Sequence, residues 1–262
     1  MSISLQKANF WKRISAYMLD MVLAVMLALG VASLLSFVFQ YDKYTDKLSS
    51  YYAEYEEQYQ VDFDLSEEEL SALSQAEQDN FTAASNALGK DPRVLKTYDA
   101  IFYRTLAIIS LSVIASHFIL YFIPPLFFKN GQTLGKKIFG LAVMRTNCVK
   151  VSNPVLFVRA MLGLCTIETL VPVLFIVMIF FGMLGVVGWM ALLLLLILQI
   201  FVMIKTQTNS SIHDLLSDTV VVDYASQQIF ESEEELVAFK EEQHKREVEA
   251  MRENPETLQT SN

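Results

Sequence analysis

The stretch ISAYMLDMVLAVMLALGVASLLSFVF, residues 14–39, is a continuous apolar run. It exceeds the roughly 20 residues that a helix needs to cross the hydrocarbon core of a bilayer. Its one charged side chain is Asp20. Working outward, three more runs are apolar enough to span, at 100–128, 166–183 and 186–204. The 166–183 run is near the short limit, and the 100–128 run is long enough to tilt or project into water. At 53% hydrophobic residues the chain is more apolar than an ordinary soluble domain. The expectation is an all-α polytopic membrane protein with four transmembrane helices, the first at 14–40. Lys7, Lys12 and Arg13 ahead of that helix imitate the basic region of a signal peptide. The apolar stretch is too long for one, however, and no small-x-small cleavage site follows it.

The connecting segments set an orientation. Residues 1–13 carry Lys7, Lys12 and Arg13 and no acid. Residues 129–165 carry Lys129, Lys136, Lys137, Arg145, Lys150 and Arg159, again without an acid. Residues 41–99 hold fourteen acids against five Lys or Arg. The positive-inside rule then predicts a cytoplasmic N-terminus (1–13), an acidic extracytoplasmic helical insertion (41–99) and a cytoplasmic loop (129–165). The uncharged turn after residue 183 closes a helical hairpin. It leaves 205–224 and the charged tail 225–262 in the cytoplasm, as expected for a multi-pass protein of the plasma membrane with both termini inside. With no basic excess, nucleic acid is not an expected partner. Cys148 and Cys165 are too few for a disulfide framework and are expected to stay reduced on the inner side.

Local patterns add detail. Ser66 with Glu69 fits a capping box, and apolar spacing predicts one helix over 66–88. Tyr51, Tyr52, Tyr55 and Tyr59 read as an outward continuation of the first helix or as interface residues. Residues 141–146 and 149–151 flank the turn at Asn147 and Cys148, and 219–222 is another β-branched run. These are expected to pair as a small sheet, a β-hairpin cap on the inner face. Residues 155–164 read as an amphipathic interfacial helix with Arg159 reaching lipid headgroups. The tail from about residue 226 reads as a charged helix with Glu241–Lys245 and Glu242–Arg246 pairs, either solvated or binding a partner.

Ionisable residues inside apolar runs carry the functional reading. Asp20 follows Arg13 by nearly two helical turns, so the two share a face, with Tyr17 near it and Ala16 leaving space there. A charged Asp in a span costs roughly 2.5–3.5 kcal/mol on insertion scales, so it needs a partner or a water path. It either fixes the helix bundle through hydrogen bonds or binds a proton or cation during transport; the residues alone leave both open. His117, mid-span, is either a neutral imidazole bonded to a neighbour or a proton relay with Asp20. Glu168 opens the 166–183 run, Pro172 kinks it, and Gln199 lies in the last span. Residues 131–137, GQTLGKK, imitate a phosphate loop, but the glycine spacing and the Gly-Lys-Lys ending do not fit one. No metal-ligand cluster, no nucleophile–base arrangement and no cofactor motif is visible. The chain is therefore expected not to be an enzyme and to need no cofactor or metal.

Three stretches together resemble the RDD family of membrane proteins, named for one Arg and two Asp. They are Arg13, Ala16 and Asp20 in FWKRISAYMLD; GQTLGKKIFG at 131–140 with Val143 following; and HDLLSDTVV at 213–221. The resemblance covers about residues 8–224 and implies that Arg13, Asp20 and Asp214 form the naming triad. The long acidic connection, four spans rather than three, and the tail after Tyr224 depart from the family pattern. Some members are linked to sodium/proton exchange, which is the function the resemblance implies. On this reading Asp214 pairs with Arg13, and Asp20 stands open to a proton or monovalent cation. The expected activity is a proton-coupled monovalent cation transporter of the Na⁺/H⁺ type, a homo-oligomer or bound to a membrane protein partner. The alternative is a non-catalytic membrane scaffold or accessory subunit that binds partner proteins.

Overall fold

The computed structural model describes residues 6, 8–128, 130–164, 176, 178–180, 182, 185–206 and 208–253. In chain order the elements are α1 (Phe10–Val38), α2 (Tyr41–Tyr59), α3 (Glu67–Ala72), α4 (Gln75–Leu88), α5 (Pro92–Tyr121), α6 (Ile123–Phe127), α7 (Leu134–Ile138), β1 (Leu141–Arg145), α8 (Asn153–Leu164), α9 (Val186–Lys205), α10 (Ile212–Leu216), β2 (Thr219–Asp223) and α11 (Glu233–Glu253). Among the described residues, three helical segments are long and apolar enough to cross a bilayer: α1, α5 with α6, and α9. The expected span at 166–183, with Glu168 and Pro172, lies largely outside the described residues, as does Cys165.

The chain divides into two compact units, residues 27–115 in one and residues 1–26 with 116–262 in the other. In the first, Gln40 takes a left-handed φ of 52°, so α2 is a separate helix rather than a continuation of α1. The helix expected over 66–88 is two helices. A second capping box, Ser74 with Glu77, starts α4 directly after Leu73 closes α3. The helix expected from residue 100 begins at Pro92. Proline suits the first helical turn, and the Asp91 carboxylate accepts the Arg93 N–H at 2.7 Å as a cap. Arg93 also pairs with Glu54 at 3.0 Å. Arg104, expected only to snorkel, donates to the Phe39 carbonyl at the end of α1 and lies 3.6 Å from the Tyr44 ring centre.

In the second unit β1 and β2 form an antiparallel pair, with Leu141 opposite Asp223 and Arg145 opposite Thr219. The expected local hairpin is reduced to a bridge between Met144 and Lys150; the main partner of β1 is the distant 219–223 run. Both faces of the ribbon are buried, and side-chain alternation sorts them. Ala142, Met144, Val220 and Val222 pack against Phe230 and Leu236, with Phe239 of α11 alongside. Leu141, Val143 and Val221 pack on the opposite face, against Ala8, Ala16 and Leu156. Through these contacts the sheet fixes the start of α1 and the start of the tail helix.

Candidate functional site

The buried residues of α1 are Arg13, Ala16 and Asp20, spaced so that all three lie on one helical face. Asp20 does not stand open. It is 1% exposed, and its carboxylate accepts the Thr133 hydroxyl at 2.5 Å and the Gly135 N–H at 2.7 Å. Thr133 caps α7 and accepts the Lys136 N–H in turn. The segment that imitates a phosphate loop thus does present backbone and hydroxyl donors to an anion, and that anion is the chain's own carboxylate. Residue 135 must be glycine for this. A Cβ there would collide with the Ala16 carbonyl and come within 2.9 Å of the Asp20 carboxylate. Ala16 and Gly135 together let α1 and α7 approach backbone to backbone.

Asp214 sits in the first turn of α10, capped by Ser211, and is fully buried. Its Oδ2 accepts Arg13 Nη2 at 3.0 Å and the Ser211 hydroxyl at 2.7 Å. Its Oδ1 accepts Arg159 at 3.0 Å from Nε and 2.5 Å from Nη2. Burial pushes this carboxyl upward. The neighbouring Arg159, His213 and Arg13, with the Arg159 hydrogen bond, outweigh burial and hold it well below the usual carboxylate range. Arg13 also donates to the Asn209 carbonyl, which a left-handed Asn209 (φ 52°) turns toward it.

The expected pairing of Arg13 with Asp214 is present, but it is shared. Arg159, expected to reach lipid headgroups, is 6% exposed and turned inward onto Asp214. The reason is electrostatic: a buried Asp214 with one arginine on one oxygen leaves the other oxygen in need of a donor, and α8 brings Arg159 to it.

His117 lies in the same unit. Its Nε2 contacts the Ala160 carbonyl at 2.9 Å, so that nitrogen carries the proton and Nδ1 is an acceptor. Nδ1 is buried and has no hydrogen-bond partner among the described residues. His117 and Asp20 both line one small cavity, together with Arg13, Lys136, Arg159 and His213. At about 20 Å³ it has room for a single water molecule. Gln199 is also buried, and neither of its amide atoms has a partner among the described residues.

The structure therefore brings Arg13, Asp20 and His117 to one cavity, while Asp214 does not line it and is bonded to two residues that do, Arg13 and Arg159. Sequence reasoning missed Thr133, Gly135, Lys136 and Arg159. The first three sit in the glycine-rich segment, where the signal was visible and its target was not. Among the described residues there is no group of three His, Cys, Asp or Glu able to hold a metal ion. No curated protein and no solved structure matches the chain. A family model described as the RDD family matches residues 7–218, a range that contains Arg13, Asp20 and Asp214 and the described membrane helices. With that match covering most of its length, the chain belongs to the RDD family.

Proposed function

We propose that the protein is a non-catalytic membrane scaffold or accessory subunit, inserted in the plasma membrane with both termini in the cytoplasm, that binds partner proteins. One observation carries the reading: both triad carboxylates are already occupied by protein donors. Asp214 is held by Arg13, Arg159 and Ser211, and Asp20 by Thr133 and Gly135. A cation carrier needs carboxylate oxygens free to replace an ion's hydration shell. Here those oxygens lock α1 to the elements beside it. The charge distribution supports the same reading. Residues 41–99 hold fourteen acids and five bases, while the rest of the chain is balanced at fifteen of each, so the net charge of −9 belongs to one helical insertion. Such a field favours encounter with basic partners.

Proton-coupled exchange of a monovalent cation is the second reading, favoured by the unpartnered Nδ1 of His117 beside the cavity that Asp20 also lines. Proton flux in proteoliposomes separates the two. Purified protein is reconstituted with a trapped pH-sensitive dye, Na⁺, K⁺ or Li⁺ is added outside, and Asp20→Asn is run alongside. The scaffold reading expects no cation-driven flux from well-inserted wild type. Flux that disappears in a folded Asp20→Asn protein overturns it and establishes exchange.

A further inference from the structure

The acidic insertion contains a preformed groove. α2 ends at Gln60, whose left-handed φ of 55° turns the chain sharply back. The following residues and the α3–α4 corner enclose an open groove of about 420 Å³, within the size range of ligand pockets. Its floor is apolar, from Val61, Leu65, Leu73 and Phe81, each half-buried. Its rim carries Glu56, Asp62 and Glu77, and no Lys or Arg lines it.

The groove is held open by its own bonding. The Gln78 amide donates to the carbonyls of Leu70 at 3.3 Å and Leu73 at 3.1 Å, bracing the corner between α3 and α4. The capping box at Ser74 fixes the start of α4, with the Ser74 hydroxyl 2.6 Å from the Glu77 carboxylate. Those hydrogen bonds also lower the pKa of Glu77. Phe63 wedges the floor from behind, 5.5 Å from Phe81 and 5.4 Å from Tyr52 between ring centres. Glu56 is oriented by accepting the Phe63 N–H at 3.0 Å. A groove whose walls are already ordered loses little entropy on binding.

An apolar floor under a rim of fixed negative charge selects one kind of occupant. We infer that this groove docks a segment of a partner protein in which an apolar side chain is flanked by Lys or Arg. The apolar side chain enters between Leu65, Leu73 and Phe81, and the basic groups meet Glu56, Asp62 and Glu77. The inference rests on the scaffold reading and names the chemistry of the partner.

The test uses the full chain in nanodiscs of neutral phosphatidylcholine, so that lipid does not attract the probe. The probe is a fluorescent peptide of alternating Lys and Leu, read by polarisation. A peptide with Ser for every Leu keeps the charge and loses the apolar contact. The Glu56→Gln/Asp62→Asn variant removes rim charge. The Glu67→Gln/Glu68→Gln variant removes the same charge from α3 outside the groove. Circular dichroism confirms that each variant folds. Expected is binding of the Lys-Leu peptide that weakens about tenfold or more in the rim variant and in the Ser peptide, and less than about threefold in the α3 variant. Equal weakening by the two variants, equal binding of the two peptides, or no binding overturns the groove as the docking site. Proton flux bears on the scaffold reading alone, so the two failures are distinguishable.

Discussion

Asp214 is the residue on which the buried charge balance turns. Removing it leaves Arg13 and Arg159 buried without their shared anion, and breaking a buried pair in this way typically costs about 3–5 kcal/mol. Asp214→Ala should therefore lower the thermal unfolding temperature in detergent far more than Asp218→Ala, whose ion pair is solvent-exposed. Exchanging charges, with Arg13→Asp and Asp214→Arg together, should not restore stability, because the arginine introduced at position 214 would face Arg159. Recovery of wild-type stability by the double exchange would show that Arg159 is not a real partner. The effect of pH has a definite direction. The folded pKa of Asp214 lies below its unfolded value, so the ion-pair stabilisation is present above the ordinary carboxylate range and is lost as pH falls through the depressed value. The stability gap between wild type and Asp214→Asn should hold at about pH 5 and close only in acid below the ordinary Asp value of about 3.9. A gap that closes on going from about pH 7 to 5 would mean a raised carboxyl instead. Gly135 is the second sensitive residue. Gly135→Ala should destabilise by about 1–3 kcal/mol, because neither the Ala16 carbonyl nor the Asp20 carboxylate can retreat without losing a bond. Gly30→Ala, with open space around it, should be neutral or mildly stabilising, and the two can be compared by the same thermal melt.

At the scale of elements, short helices depend on their ends. α7 and α10 have five residues each, too few to be stable alone, and both begin where a buried Asp engages a capping residue. In α7 the carboxylate comes from a different helix, Asp20 of α1; in α10 it comes from within, Asp214 with Ser211. Asp20→Ala should accordingly expose amides of residues 134–138 to hydrogen exchange while leaving those of α9 unchanged. Equal protection in the two proteins would show that α7 holds without the carboxylate. The α3–α4 corner offers a parallel case. Gln78→Ala removes the donor to the Leu70 and Leu73 carbonyls, and faster exchange confined to residues 70–80 is the expected result.

At the scale of the whole molecule, acidic charge and apolar length fall in different stretches of the chain. The excess acid is concentrated in residues 41–99, and the remainder is neutral overall. Apolar residues such as Met26, Leu29, Phe37 and Leu194 are more than 60% exposed on helices long enough to span, as lipid-facing side chains should be. Association driven by the acidic insertion should weaken steeply with salt, because exposed charges are screened within about 10 Å at 0.1 M. Binding of a basic probe that is insensitive to ionic strength would point to an apolar contact alone.

The membrane helices are legible in the sequence, because continuous apolar length is a one-dimensional property that a bilayer reads directly. So is the shared face of Arg13 and Asp20, since helical periodicity is local, as is the β-branched character of residues 219–222. What those groups touch depends on how the chain packs. Arg159 reads as a lipid-facing cation on its own helix until Asp214, 55 positions away in the chain, turns it inward. The glycines at 131 and 135 read as a defective phosphate loop until Asp20, 115 positions from Gly135, supplies the anion. The 219–222 run joins the sheet as expected and is the main partner of β1, while residues 149–151 keep only the Met144–Lys150 bridge and bury Val149 in the same cluster. In each case burial in a low-dielectric interior requires a partner, and the identity of that partner depends on distant segments meeting in space rather than on their spacing along the chain.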